Sequence, residues 1–306
     1  DGPTSCTTTS TGQPGTIEVT VDTAAPTSPD ITPSTGTVTN SLQVTKISIV
    51  GVPANLNKYY VTINGSIITQ TAGIGDTALS IAQGLDDKIQ ALGAIGSAVA
   101  GGVAAAATIS VTAATAGSVF TVKTSTSLGA GASMGTQIVT GSKLITICVE
   151  DLGTASLQAT STVATGTPTY SFTINGITEA DVPDGTLTLP GGMADNVLVI
   201  AKATSNTCTT DFAVNVAVNR VTAGTISTSS SICPLGDPDE FTGSIATAPA
   251  GALLTYQWWV HNGVTWNNTG ATGATYDSPA LSVSSTFKRI AISTLNGQIC
   301  SVESNQ

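Results

Sequence analysis

Two segments of the chain share one cysteine layout. In the first, Ile147-Cys148 is followed by Leu152-Gly153, and the segment closes on Asn206-Thr207-Cys208. In the second, Ile232-Cys233 is followed by Leu235-Gly236, and the close is Gln298-Ile299-Cys300. A layout repeated along one chain marks a repeated structural unit. Between the cysteines run short alternating stretches at 170–174, 197–201, 254–260 and 286–292, split by Gly, Pro and Asn. Strands of this length and spacing predict one β-sandwich per segment. The layout pairs Cys148 with Cys208 and Cys233 with Cys300, each bridge tying an early strand to the last strand of its own unit. The five cysteines contain no CxxC, and His261 is the single histidine, so metal-ligand spacing is missing and an oxidising compartment is expected.

The fifth cysteine extends the pattern. Ser5-Cys6-Thr7-Thr8 followed by 17–21 resembles Thr207-Cys208-Thr209-Thr210 followed by 212–218. Residues 1–23 therefore read as the closing strands of a preceding module, with Cys6 paired to a cysteine upstream; a free thiol or an intermolecular bridge is the alternative. The chain opens without Met or a signal-peptide pattern, so residue 1 reads as a processing site or as a cut within a longer array. Residues 24–142 differ from the repeats. A Pro, Thr and Ser-rich linker at 24–39 leads to strands near 42–50 and 59–64, then a helix over 77–92 with Asp76 as its N-cap. Ile81, Leu85, Ile89 and Leu92 fall on one face of that helix. Strands at 107–112 and 119–123 and a Gly-rich loop at 129–135 come next, giving an α+β module of one helix on a small sheet. The remaining boundaries are 143–220 and 221–306, one sandwich each.

Composition removes several function classes. Nine basic residues against 19 acidic ones give a net charge of −10, which disfavours nucleic acid and anionic membranes. Residues 89–122 carry no charge, yet they are Ala, Gly, Ser and Thr without basic flanks, so membrane insertion is not expected. Uncharged Thr-rich faces and the Ala/Gly-rich stretch at 91–107 suit close contact between identical chains, as in a multi-chain fibre.

Chemistry-bearing motifs are sparse. Gly131-Ala132-Ser133-Met134-Gly135 matches GxSxG, but its flanks are loop and strand, and no histidine is near in sequence to serve as base. Gly73 to Ala78 matches GxGxxA, where Asp76 would oppose a pyrophosphate. The acidic runs containing Asp181 and Asp184, and Asp237 and Asp239, are weak calcium candidates; no other metal and no cofactor is expected. Aromatics concentrate in Tyr256-Gln257-Trp258-Trp259-Val260 and Trp266. Strand alternation turns Trp258 toward the core, against the Cys233–Cys300 bridge as in immunoglobulin-like sandwiches, and turns Trp259 outward. Trp259 and Trp266 are candidate glycan contacts, and His261 before Asn262-Gly263 is a hairpin-turn residue.

The last segment resembles a known family. Ser231 to Asp237, Leu254 to Trp258, Thr265-Trp266, Gly270 to Leu281, Thr286 to Arg289 and Gly297 to Asn305 are similar to the immunoglobulin-like or PKD-like repeats of giant surface adhesins. Those adhesins are exported by type IX secretion in gliding and predatory bacteria. The resemblance is specific over 224–306, moderate over 143–220 and lacking as a motif over 24–142, which more weakly resembles sheet-and-helix modules of bacterial and phage surface proteins. It implies a mainly β chain of tandem immunoglobulin-like β-sandwich modules with one α+β module. It further implies an extracellular, non-catalytic array on a bacterial cell surface that reaches a surface, prey or a neighbouring copy. O-glycosylation at Thr23 and Thr77, each in an Asp-Thr-Ala context, is a further implication. A carbohydrate-binding array using Trp259 and Trp266 is the alternative function.

Overall fold

The computed structural model describes residues 27–127, 131–163, 167–178, 182–205, 208–227 and 230–306. Cys6, Thr23 and Asp181, and with them the expected truncated module at 1–23, lie outside the described residues. The chain begins with β1 (Thr27–Pro33) and β2 (Thr37–Asn40). Next come β3 (Val44–Gly51), β4 (Lys58–Ile63), β5 (Ser66–Thr71) and α1 (Ala78–Gln90). They are succeeded by β6 (Ile95–Val103), β7 (Ala106–Ala113), β8 (Val122–Thr126) and β9 (Ala132–Thr140). A second series holds β10 (Lys143–Cys148), β11 (Ser156–Thr162), β12 (Thr169–Ile174), β13 (Ile177–Thr178), β14 (Thr186–Thr188), β15 (Asn196–Ser205) and β16 (Cys208–Asn219). The last is β17 (Leu253–His261), β18 (Trp266–Asn268), β19 (Thr286–Leu295) and β20 (Gln298–Glu303).

The first two strands join the middle sandwich, not the α+β unit next to them in the chain. β1 pairs antiparallel with β11, and β2 pairs with β10, placing Asn40 opposite Lys143. The middle sandwich is thus a sheet β1-β11-β14 facing a sheet β13-β12-β15-β16-β10-β2. Ile31 of β1 is buried in its core with Leu157, Phe172, Leu189, Val199 and Val216. β10 runs parallel to β16 within an otherwise antiparallel set of pairs, the closure of an immunoglobulin-like sandwich. This corrects the expected linker at 24–39 and the boundary at 143. The segment reads as linker because β2 leaves most of its side chains exposed, and the partners of both strands lie more than a hundred residues downstream.

The α+β unit is therefore an insertion between β2 and β10. Its sheets are β6-β7-β3-β9 and β5-β4-β8. In β3, alternation sends Ile47 and Ile49 inward. Helix α1 buries Ala78, Ile81, Ala82, Leu85 and Ile89 on them, with Leu92 partly buried against the same cluster. The helix cap is Thr77, not Asp76. Thr77 has extended backbone, its Oγ1 accepts from Ser80 N at 3.1 Å, and Ser80 Oγ accepts from Thr77 N at 2.9 Å, a capping box. Asp76 supports the turn from outside, accepting from Gly73 N at 2.6 Å and from Ser80 Oγ at 3.0 Å. Part of the expected Gly-rich loop is strand: Ser133, Met134 and Gly135 lie in β9 and register with β3. Where the insertion leaves the sandwich, Gly141 is required, because a Cβ there would sit 2.5 Å from both the Ala213 carbonyl oxygen and Val214 Cα.

The last unit is a four-stranded sheet, β18-β17-β19-β20. Its facing wall is mostly irregular chain joined by isolated bridges, Thr222 to Thr247, Gly236 to Leu281 and Phe241 to Tyr276. These are the positions that β1, β11 and β14 fill in the middle sandwich. The molecule is mainly β, with tandem immunoglobulin-like sandwiches and one α+β unit.

Candidate functional site: a clamped junction between the sandwiches

The disulfide joins Cys148 to Cys300, with Cα atoms 5.6 Å apart, and so connects the two sandwiches. Neither expected pairing forms. Cys233 is exposed and free, and Cys208 opens β16 with its side chain outside the described part. The physical reason is direction. β10 is parallel to β16, and Cys148 registers with Asn219, at the end of the strand that leads into the last unit. Cys300 lies near the start of β20, where the last unit meets the middle one. The two sulfurs therefore face each other across the boundary.

Side chains reinforce the bridge. Asn219 is fully buried; its Nδ2 donates to the carbonyls of Ser293 at 3.0 Å and Gln298 at 3.1 Å, and its Oδ1 accepts from Ser293 Oγ at 2.6 Å. Asn296 Nδ2 donates to Thr146 Oγ1 at 3.1 Å, and Thr37 Oγ1 donates to the Asn296 carbonyl at 3.2 Å. Cys148, Val221, Ala246, Ala291 and Cys300 form one buried cluster, against which Leu254, Tyr256 and Val302 pack. The junction thus has the apolar centre and satisfied polar surround of a domain interior. Asn219 and Ser293 carry no motif visible in the sequence. The one signal that pointed to the site was the repeated cysteine, read with the wrong partner.

The remaining expected residues are scattered. Trp258 is fully buried as expected, though without a bridge beneath it. It packs on Phe241 and Tyr276 at ring-centroid distances of 6.1 and 5.5 Å, and Nε1 donates to the Gly273 carbonyl at 2.9 Å. Beside it Arg289 is only 1 % exposed and has no carboxylate partner among the described residues. Its guanidinium donates to the carbonyls of Ala223, Thr225, Ser244 and Ala274, stitching the irregular wall to β19. Trp259 and Trp266 lie on the opposite, outer face, both half-buried. Trp266 has His261 at 5.2 Å and Lys288 Nζ at 4.4 Å from its ring centre, so its ring is already in use. His261 Nδ1 accepts from Gly263 N at 3.2 Å, closing the hairpin turn. Thr77 uses its hydroxyl oxygen to cap α1. Asp184 accepts from Thr186 N at 3.1 Å within its own turn, while Asp237 and Asp239 are exposed in the other sandwich. Among the described residues, the one close grouping of His, Cys, Asp or Glu is Cys148, Glu150 and Cys300, and two of its members are consumed in the disulfide. Ser133 Oγ donates to the Val50 carbonyl at 3.4 Å inside a strand, and the chain's single histidine sits in the last sandwich.

A family model described as a domain of unknown function (DUF8696) matches residues 222–306, the last sandwich. No curated protein matches the chain. Solved structures similar to it include a three-domain titin fragment, at 11 % identity over 90 % of this chain and 96 % of that one, TM-score 0.29. Others are extracellular domains 3–5 of Drosophila OTK, at 12 % identity over 83 % and 91 %, TM-score 0.28, and the three N-terminal domains of the bacteriophage RB49 outer capsid protein Hoc, at 10 % identity over 88 % and 97 %, TM-score 0.32. At such scores the immunoglobulin-like assignment stands on this molecule's own strand order. Among the described residues no helix is long and apolar enough to cross a membrane.

Proposed function

We propose that this chain is a structural and adhesive segment of a long extracellular repeat protein on a bacterial cell surface, without catalysis and without a required cofactor. The observation that carries the reading is the clamp between the sandwiches. A disulfide spanning 152 residues of sequence, backed by Asn219, Ser293 and Asn296, turns two beads into one stiff unit. A filament gains a short cut for tension, from β10 through two sulfurs to β20. The disulfide agrees with an oxidising, extracytoplasmic setting, and the resemblance to type IX-secreted adhesins motivates the bacterial surface and the assembly into a fibre. The glycan-binding alternative is less favoured, because Trp266 is engaged by His261 and Lys288.

Single-molecule stretching tests this reading. Pulled from its two ends, the oxidised chain is expected to yield only the residues outside the bridge. Reduction should release about 500 Å of further extension, roughly 3.5 Å for each enclosed residue. Equal extension with and without reductant would refute the tension-bearing role.

A further inference from the structure

Cys233 is exposed and unbonded, and its meaning comes from its counterpart. Ile147-Cys148 and Ile232-Cys233 hold the same place in the repeated cysteine layout: Cys148 ends β10 just before the turn into β11, and Cys233 lies in the connection between the first two segments of the last sandwich. In the middle sandwich the end of β10 faces the last unit, and Cys148 there is bonded to Cys300 near the start of the neighbour's β20. In the last sandwich the opening and second segments pair at Thr222 with Thr247 and at Ser227 with Thr242, so the connection carrying Cys233 lies at the end pointing away from the junction. The bond already formed by Cys148 is an independent observation of what this position does.

The same far end exposes apolar side chains, with the exposed Asp237 and Asp239 following closely in sequence. Leu235 is 75 % exposed beside Cys233, and its N–H donates to the Leu281 carbonyl, which brings the cysteine loop next to the segment carrying Val283. Val264 is exposed in the turn after β17, whose end registers with the start of β19. Ser231 stands where Thr146 accepts from Asn296 in the closed junction, and it is exposed. Cys148, by contrast, is buried at 4 % exposure.

We propose that Cys233 is a cross-linking site that bonds a cysteine near the start of the final strand of a further immunoglobulin-like sandwich, repeating the Cys148–Cys300 clamp one step along the array. In the step, the Cys233 thiol and the partner thiol form one S–S bond. A disulfide-bearing oxidant gives up its own S–S bond and takes both hydrogens as two thiols. Cys300 of a second copy cannot serve, because it is already bonded to Cys148. The inference rests on the reading of the chain as part of a repeat array and adds the partner.

The test is disulfide mapping of the native assembly, with thiols trapped by N-ethylmaleimide before unfolding and digestion without reductant. The expected product is the Cys233 peptide linked to a peptide from another sandwich, its cysteine placed in the last strand as Cys300 is. Cys233 found carrying the maleimide, or linked to Cys233 of a second copy, overturns the proposal. If Cys148–Cys300 is recovered at the same time, the array reading survives; if Cys148 and Cys300 are also alkylated, both fail. On the 306-residue chain itself, native maleimide treatment should label Cys233 fully, and protection of Cys233 there would overturn the proposal as well.

Discussion

The two sandwiches meet the same topological demand with different walls. The middle one closes its core between two regular sheets, and aliphatic residues from β1, β10, β11, β12, β15 and β16 interdigitate there. The last has one sheet and a wall of mostly irregular chain, held by three isolated bridges, an aromatic group of Phe241, Trp258, Tyr276 and Phe287, and the buried Arg289. A regular sheet satisfies its backbone by itself. An irregular wall leaves carbonyls over, and here a guanidinium satisfies four of them. A core made of many aliphatic contacts yields gradually to substitution, whereas a wall whose spare carbonyls share one cation is most sensitive at that cation.

The disulfide conceals this difference, so removing it should have the largest effect. Replacing Cys148 and Cys300 by Ser is expected to cost about 5 kcal/mol in the loop-entropy account of a 152-residue closure. Calorimetry should then resolve two melting transitions where the oxidised chain gives more coupled unfolding; a single unchanged transition would break the comparison. Next is Arg289→Met, which leaves the four carbonyls without donors and should lower the last sandwich by about 4 kcal/mol while the middle transition stays put.

Leu157→Ala probes the other side. It removes a fully buried side chain from the middle core and should cost about 3 kcal/mol, felt in the middle transition alone. The smallest effect belongs to Asp211 in β16, whose Oδ1 is buried without a partner among the described residues. Burial raises its carboxyl above the ordinary value, partly offset by the charge of Lys202. The folded chain then holds that proton more tightly than the unfolded one. The group accordingly favours the fold in acid, and this contribution is lost as the pH climbs from the ordinary carboxylate range through the raised value. Asp211→Asn should therefore stabilise the middle sandwich by less than about 1 kcal/mol at neutral pH, the gain fading in acid. A gain that grows in acid would contradict the assignment.

Much of this was legible in the sequence. Strict alternation gave away β3, β12, β15, β17 and β19, and the spacing of Ile81, Leu85 and Ile89 gave away α1, since both signals are local. Two features were not local. β2 buries little, and the partners of β1 and β2 are encoded beyond the insertion, so proline and threonine content dominated their reading. The cysteine layout marked Cys148 and Cys300 as bonding residues but not as each other's partners, and it gave Cys233 a bond that it does not make. Pairing depends on which end of each sandwich a sulfur occupies, and that is set by the parallel β10–β16 register. Arg289 was hidden for a related reason: a charged residue on an alternating strand reads as solvent-facing until the opposite wall is seen to lack regular structure.

The insertion enters and leaves the middle sandwich at directly neighbouring residues, since Asn40 faces Lys143 across the β2–β10 ladder. A tight turn spliced between those two residues would restore an ordinary hairpin, and the shaft built from the two sandwiches would keep its registers. The helical unit is in that sense a pendant, exchangeable for another decoration of any size whose two ends come close together, so that display can diversify while the spine stays the same.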